Sequence, residues 1–481
     1  MADPIILWFR SDLRLADNPA LTAAAESGKP IIALYVLDGA KDWAIGGAAR
    51  WWLAHSLRAL ARDLGRHRVP LTLRRGEPAV IVGRIAAETG AREIHWNRCY
   101  DGRSITRDKA LKAELKRRGV EVRSHNASLL AEPWDIAGKT GQPYGKFTPF
   151  WRQLRTLSPP MPLPSPDRLV SAGKIPSDRL EDWRLEPASP NWAQCFDDVW
   201  QPGEAGAGER LRQFLDEALS AYASGRDRPD RQGTSGLSPH LHWGEISPRQ
   251  IWHAAIAARQ AGANDAAVES FLAELGWREF SHHLLYHHPD LPDRPLRPAF
   301  EAFPWSPDRR LLRAWQRGLT GYPIVDAGMR ALWATGWMHN RVRMVTASFL
   351  TKHLLQPWQD GEAWFWDCLV DADLASNAAN WQWVAGCGAD AAPYFRIFNP
   401  TLQGRKFDPD GGYVRQWVPE LRAFPSEFIH EPWRAPDRFR KLAMDECGRV
   451  YPDPIVDHRT ARASALHAYA TLRHRGGGEA G

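Results

Sequence analysis

The sequence predicts an α/β domain on a five-stranded, doubly wound parallel sheet, then a long linker and a large all-α domain. Three observations carry this. Short β-type runs alternate with amphipathic helical stretches up to about residue 130, Pro- and Gly-rich segments without periodicity follow to about 205, and helical periodicity then runs almost unbroken to the end. The expected boundaries are 1–130, 131–205 and 206–481.

In the first segment PIILWF is followed by a helix over 19–27, PIIALYVLD by 48–64, VPLTLRR by 77–89, EIHWNR by 104–118, and VEVRSH closes the set. Parallel strands need crossover connections, and the right-handed βαβ unit is the usual one. Ligands of such sheets sit at the carboxyl ends of the strands. After the first strand stands WFRSDLRLADN and no G-x-G-x-x-G, so the dinucleotide fingerprint is absent.

The linker, with SPPMPLP, EPASPNW and QPGEAGAGE, reads as a connector over the surface, with one short helix near YGKFTPFWRQL. Helices are then expected at 209–223, 247–261, 265–287, 308–318, 323–334, 339–354, 361–368 and 459–473. TSGLSPHLHWGEISPRQ holds two Ser-Pro pairs, each reading as an N-cap Ser with Pro at the first helical position. Such ends offer free N–H groups and a positive dipole, which with Thr234, Ser235 and Ser238 suit a pyrophosphate; simple capping accounts for either pair alone. The tail RGGGEAG is expected to be disordered.

Composition narrows the function. The 481 residues are 44% hydrophobic, enough for complete cores, but 24 Trp exceed 17 Phe and 10 Tyr. Indoles stack on planar ligands and exchange electrons, which favours a chromophore- or base-binding protein. A net charge of +6 and a pI near 9.1 allow a polyanionic partner if the cations cluster. Five cysteines without C-x-x-C spacing point to reduced thiols in the cytoplasm, and nothing approaches the ~20 apolar residues of a membrane span. A soluble, untargeted protein is expected.

Residues 335–400 concentrate polar groups within apolar helical sequence: Arg341, Arg343, Asp371, Asp373, Asn340, Asn377 and Asn380 among Trp337, Trp358, Trp364, Trp366, Trp381 and Trp383. Each such group costs free energy unless it has a partner. Residues four apart share a helix face, so Asp373, Asn377 and Trp381 would line one face and Asn340 and Met344 another. Trp381 and Trp383 point different ways. The pattern reads as a built pocket for a planar ligand, although core tryptophans and interhelical ion pairs satisfy the same spacing.

FLAELGWREFSHH places Glu274, Trp277 and Arg278 at i, i+3 and i+4, a grip for a planar polar group or a helix ion pair beside a core Trp. His283 and His287 have helical metal spacing, but no matching Cys or carboxylate accompanies them, and no metal is expected. Arg226, Arg228, Arg231, Arg341, Arg396, Arg405, Lys406 and Arg415 are candidate phosphate contacts that count only if they cluster. G-x-S-x-G, Walker and zincin motifs are missing, which leaves hydrolysis and phosphoryl transfer unsupported.

WFRSDLRLADN, YGKFTPFWR, QGTSGLSPHLHWGEISP, ELGWREF, GYPIVDAGMR, TGWMHNRVRM, DADLASN and DAAPYFRIFNP together resemble the DNA photolyase/cryptochrome flavoproteins over nearly the whole chain. The resemblance implies an antenna-binding α/β domain, a linker and a helical domain holding a U-shaped FAD. It implies that Tyr222, Thr234, Ser235, Leu237 and Ser238 meet the FAD diphosphate, and that Arg278, Asn340, Arg343, Asp371, Asp373 and Asn377 surround the flavin, with Arg343 pairing Asp371 and Asn377 facing N5. Glu274, Trp277, Asn340, Arg341, Met344 and Trp383, with Arg226 on the DNA, are similar to the residues that receive a cyclobutane pyrimidine dimer. Trp381, Trp358 and Trp315 resemble the chain carrying electrons from the surface to the flavin.

The implied reaction is light-driven dimer splitting by electron transfer from reduced FAD and back, with no net redox change. It acts on a lesion flipped out of UV-damaged DNA, photolyases being among the enzymes that extrude their target nucleotide in this way. Glu274 would bond the base edges and stabilise the dimer radical anion, between Trp277 and Trp383. Asn340 and Met344 stand where (6-4) enzymes carry a His pair, and Asn377 where plant cryptochromes carry an acid, so dimer repair is favoured over signalling. Phe271 replaces a frequent Trp, and Gly236 replaces an Arg of some relatives. Arg103-Ser104 stands where folate-binding members have Asn-Glu. The chain looks most like the bacterial class III photolyases, which implies methenyltetrahydrofolate as antenna, set against Trp43, Trp51 or Trp52. A monomer without an obligate protein partner is expected.

Overall fold

The computed structural model describes residues 3–39, 43–138, 141–391 and 395–476. Five parallel strands, β1 (Ile5–Phe9), β2 (Ile31–Leu37), β3 (Leu71–Arg75), β4 (Glu93–Asn97) and β5 (Glu121–His125), lie in the order β3-β2-β1-β4-β5. The expected strands and crossovers are present, with helices α1 (Pro19–Glu26), α2 (Gly47–Arg66), α3 (Pro78–Thr89) and α4 (Gly102–Arg117). β1 is buried throughout and pairs with β2 from Ile5↔Ile31 and with β4 from Ile5↔Glu93, as expected of a strand covered on both faces. Trp8 and Trp96 meet edge to face at 5.5 Å in the core below α3 and α4.

The chain divides into two compact units. The first comprises 1–220, 235–289 and 370–373. It therefore includes, besides the sheet, the linker, the helix Phe147–Thr156 and the long helix Asp265–His287. The second comprises 221–234, 290–369 and 374–481, and is helical: Arg309–Gln316, Pro323–Thr335, Asn340–Ser348 with a π-helical turn Phe349–His353, Trp358–Cys368, Leu374–Ala385, Pro400–Phe407 and His458–Gly476. The helix expected at 339–354 ends in that π-turn, and the one expected at 209–223 is Glu204–Gln213 followed by short π and 3-10 turns. Asp373 precedes its helix rather than lying on it, which corrects the expected face; Asn377 and Trp381 do share one. Residues 477–481 of the tail, and Ala392, Pro393 and Tyr394 of the DAAPYFRIFNP motif, lie outside the described residues. Among the described residues no helix is long and apolar enough to cross a membrane.

Within the first unit, the segment after β1 is tied to LHWGEIS by buried polar groups. Leu13 N donates to Trp243 O at 3.1 Å, and Arg14 donates to the carbonyls of Gly244, Asp17 and Ala127 at 2.8, 2.6 and 2.8 Å. The Glu245 carboxylate accepts from Trp52 Nε1 at 3.1 Å, Gly203 N at 2.7 Å and the Ser56 hydroxyl, and meets His240 Nδ1 at 2.5 Å. Each partner offsets the cost of burying these charges. Gly244 has φ +66°, and a Cβ there would stand 2.1 Å from Ser11 O. Gly244→Ala should lower the unfolding free energy by about 3 kcal/mol, as left-handed strain and a backbone clash add, measured by urea denaturation; an unchanged midpoint would mean the two segments separate at no cost.

Candidate functional site

In the first unit the long helix Asp265–His287 presents Glu274, Trp277 and Arg278 in one turn, all half-buried. Trp277 stacks on Phe147 of the YGKFTPFWR segment, with centroids 3.7 Å apart and rings within 8° of parallel. Gly276 lets the Trp151 indole reach the helix backbone, since a Cβ there would be 2.4 Å from its Cε3. Arg278 Nη1 donates to Ser128 O at 2.7 Å, so the guanidinium that the resemblance sets at the flavin is anchored by the segment after β5.

The acids Asp371 and Asp373 form a tight turn, Asp373 N donating to Asp371 O at 2.7 Å. Asp373 Oδ2 lies 3.6 Å from His282 Nε2. Burial lowers the pKa of His282 and of His242, against the pull of Asp373 on both and of Asp371 on His242. Both imidazoles are accordingly set toward the neutral form.

Ser235, Gly236, Leu237 and Ser238 follow in the same unit. The first Ser-Pro helix is Ser238–His242, with Leu237 rather than Ser238 at the N-cap, a correction of one residue. The second is a capping box: Ser247 Oγ accepts from Gln250 N at 3.0 Å while Ser247 N donates to Gln250 Oε1 at 2.8 Å. Its polar groups are thus consumed in capping. Gly236 has φ +60°, and a Cβ there would meet Arg210 Nη1 at 2.7 Å. Arg210, which fills the space over Gly236, lies over the Trp200 ring at 4.7 Å. Phe271 packs on Phe214 at 4.6 Å.

The antenna expectations change. Trp51 and Trp52 are 3% and 0% exposed, Trp51 against His55 at 4.3 Å and Phe196 at 5.2 Å, Trp52 bonded to Glu245, so neither offers a free face. Trp43 is half-buried. Arg103 is paired with Asp38 at 2.9 Å, and Ser104 N caps on Asp101. His283 Nε2 accepts from Tyr144 N at 3.1 Å and His287 Nε2 faces Pro133 O at 3.4 Å, so both spend a nitrogen on backbone.

In the second unit the indoles pack deeply. Trp381 meets Phe365 at 5.0 Å and Trp315 at 6.2 Å, both edge-on, and Trp315 stacks on Phe365 at 6.1 Å. A Cβ at Gly361 would fall 2.1 Å from Trp381 Cη2, so only glycine permits this seat. Trp358 is 1% exposed. The resemblance includes Trp315 in a chain that reaches the surface, but this indole is 0% exposed, with Nε1 donating to Thr346 O at 3.0 Å. Trp305 is half-buried against Phe303 at 4.3 Å, and the adjoining Ser306 bonds Leu355 O at 2.8 Å and accepts from Gln356 Nε2 at 3.2 Å, just ahead of the helix that Trp358 opens. Trp305 was not among the residues that sequence and resemblance singled out.

Asn377 Nδ2 donates to the Glu362 carbonyl at 3.1 Å. The Glu362 carboxyl is 1% exposed with Oε1 lacking a partner, and burial, with Asp293, raises its pKa well above the ordinary range. Glu362 was missed as well; an acid beside Gly361 in a tryptophan-rich helix was the available signal. Arg343 Nε donates to Met338 O at 2.7 Å, and Asn340 is exposed in the first helical turn after its His339 cap. Tyr222 is buried with Arg226 over its ring at 5.4 Å. Thr234 is half-buried.

An open groove of about 950 Å³ runs along this unit. Arg341, Arg396, Lys406 and Arg462 line it with Phe395, Phe398, Phe407, Leu402 and Tyr469, and Asp227 is the one acid among its described lining residues. Arg341 bonds Asp227 at 2.7 Å, touches Met344 Sδ at 3.8 Å and lies over Phe407 at 4.5 Å. Trp383, its Nε1 bonded to Asp390 O at 3.1 Å, lines a small adjoining pocket that shares Phe395, Arg396, Phe398 and Tyr469 with the groove. The other candidate cations are tied elsewhere: Arg228 grips Asp230 at 2.8 and 2.6 Å, Arg405 meets Glu431, and Arg415 donates to Phe424 O. Arg231 lies 4.0 Å from Asp230.

Residues 5–167 match the DNA photolyase family and 271–471 the FAD binding domain of DNA photolyase. The chain belongs to the DNA photolyase/cryptochrome family. It is 50% identical to the deoxyribodipyrimidine photo-lyase of Agrobacterium fabrum over 98% of both chains, and 40% identical to Cryptochrome-1 of Arabidopsis thaliana over 97% of this chain and 70% of that one. Its structure is similar to that of a bacterial class III photolyase from Agrobacterium tumefaciens, with a TM-score of 0.95 at 50% identity and 98% coverage of each.

Glu279, next to Arg278, is 3% exposed. Burial pushes its carboxyl up to about 7, although Arg278 and the N–H groups of Leu130 and Ala131 favour the charged form. A raised carboxyl binds its proton more tightly folded than unfolded, so stability is fullest below the unfolded pKa and falls as pH rises toward the folded one. Unfolding free energy should drop by about 3 kcal/mol between about pH 4.5 and 7 and then level off. Glu279→Gln should flatten that slope; an equal slope in wild type and variant in urea melts would exclude Glu279 as its source.

Proposed function

We propose that this protein is a deoxyribodipyrimidine photo-lyase, a carbon–carbon lyase that splits cyclobutane pyrimidine dimers in UV-damaged DNA by light-driven electron transfer. The observation that carries this reading is the groove: its four cations suit a phosphate backbone, and its aromatic walls suit an extruded dinucleotide.

The residues present fit FAD. The Glu362 carboxyl is buried with Oε1 lacking a partner, the Asn377 amide is anchored on the Glu362 carbonyl, and the flanking indoles supply planar surface. Reduced FAD, when bound, supplies the excited electron that the dimer accepts and returns. In the second unit Asn377, Asn340 and Arg343 are assigned to the flavin and Tyr222 and Thr234 to the diphosphate; in the first, Arg278, Asp371 and Asp373, and Ser235, Leu237 and Ser238, take the same tasks. Arg341, Met344, Trp383, Asn340 and Arg226 serve the DNA, and Glu274 and Trp277 the base edge and face of the dimer. The carboxylate of Glu274 orients the lesion and stabilises charge that develops on it.

Trp381 and Trp358 relay electrons that reduce an oxidised flavin. The surface end of the relay is assigned to Trp305 in place of Trp315. Methenyltetrahydrofolate is the proposed antenna, with Trp43 as its remaining tryptophan contact. The protein is further proposed to act in the cytoplasm as a monomer without an obligate protein partner.

The 40% identity to a plant cryptochrome favours a second reading, a blue-light photoreceptor without repair. Purified protein with fully reduced flavin should restore thymine dimers in an oligonucleotide under blue light; a light-driven flavin change without repair would establish the second reading instead. Trp381→Phe should abolish photoreduction of oxidised flavin while repair by chemically reduced enzyme persists, and Trp305→Phe should slow photoreduction more than Trp315→Phe. Equal rates in the latter pair, by flash spectroscopy, would remove Trp305 from the relay.

A further inference from the structure

The helix Asn340–Ser348 runs into the π-helical turn Phe349–His353. A π-turn inserts a residue into the helical spiral, so successive side chains leave it in directions an α-helix does not offer, and such turns gather at functional sites. Lys352 and His353, 1% and 5% exposed, use two of these directions. Lys352 Nζ donates to the carbonyl of Ala385 at 2.5 Å, at the end of the helix Leu374–Ala385, and stands 3.1 Å from the centroid of Phe395. His353 Nε2 lies 2.8 Å from Nδ1 of His458, the first residue of the helix His458–Gly476. The loop is closed by Phe395, which stacks on Tyr469 of that helix at 4.6 Å with rings 6° from parallel.

The helix Leu374–Ala385 lines the adjoining pocket through Trp383 and Val384, and the other two elements held in this way are groove wall. Phe395 and Arg396 come from the segment after Gly386, and Arg462, Leu466 and Tyr469 from the C-terminal helix. Lys352 itself does not line the groove. A buried amine costs several kcal/mol where a methionine of similar volume would cost nothing, so packing alone does not account for it. Burial drives its pKa well down, against the pull of Cys387. The amine donates to Ala385 O in either protonation state, which satisfies a terminal carbonyl of the helix that carries Asn377, Trp381 and Trp383.

We propose that Lys352 is a positioning residue for the lesion-binding groove, tying the end of the Leu374–Ala385 helix to Phe395 and, through the Phe395–Tyr469 stack, to the C-terminal helix. This rests on the assignment of the groove to the dimer. A residue that only stabilised the fold would change activity in proportion to folded protein; a positioning residue changes affinity for the lesion and leaves turnover of bound lesion intact.

The test uses FAD-loaded enzyme and a single-stranded oligonucleotide with one thymine dimer. Lys352→Met should raise Kd about tenfold with kcat under saturating DNA and light within about twofold of wild type, and with photoreduction unchanged. Tyr469→Leu, at the half-buried end of the stack, should raise Kd similarly, and the double variant should lose about tenfold rather than about a hundredfold, because both changes break one connection. Should Lys352→Met fail to retain flavin, Lys352→Gln, which keeps a donor for Ala385 O, should hold Kd within about twofold of wild type, and an about tenfold higher Kd in that variant would overturn the proposal. A wild-type Kd in Lys352→Met or Tyr469→Leu, or losses that multiply fully, would overturn it as well. Absence of dimer binding or repair by the wild-type enzyme would instead overturn the assignment of the groove.

Discussion

The contact between the Gly361 backbone and the Trp381 indole is the constraint on which the second unit's arrangement depends. With the ring against a residue that has no side chain, the helices Trp358–Cys368 and Leu374–Ala385 approach closely enough for Asn377 to bond the Glu362 carbonyl. Trp381 is then held at the edges of Phe365 and Trp315. An indole wedged in this way has one rotamer, and electron relay between rings requires such fixed separations. The same close approach buries Glu362, and that burial, with Asp293, raises the pKa of its carboxyl.

The first unit obeys a related constraint by other means. The segment after β1 and LHWGEIS carry charged side chains into the interior, and each is met by several partners: Arg14 by three carbonyls, Glu245 by an indole, a hydroxyl, a backbone N–H and an imidazole. An unpaired buried charge would be worse than an apolar core, so these two segments dock only with those partners in place. The resulting rigidity anchors Arg278 through Ser128 and sets Trp277 against Phe147.

Much of this was legible in the residues. Strands buried on both faces read as apolar runs such as IILWF and IIALYVL, and the helix expected over 265–287 has those ends because Asn264 caps it. Arg341 of the groove, Met344 that it touches and Trp383 of the adjoining pocket stand out as polarity and bulk in apolar sequence. The depth of Trp315 was not legible, because a resemblance places an indole in the chain without saying how much protein lies beyond it. Arg228, Arg405 and Arg415 were indistinguishable from groove cations, since the acid or carbonyl that engages each depends on folded geometry.

The sequence by itself determined the layout: apolar runs of two periods dictate a parallel sheet followed by helices, Ser, Asn and Gly at their ends set many of the helix limits, and the ordered motifs identify the family. Tertiary structure alone decided which tryptophans are reachable, which arginines remain for a phosphate, that Arg210 fills the space over Gly236, and that Lys352 and His353 hold a wall they do not line. The physical reason is that local pattern reports the face a side chain takes on its own helix or strand, whereas exposure, charge pairing and close approach are properties of whatever distant segment packs against that face.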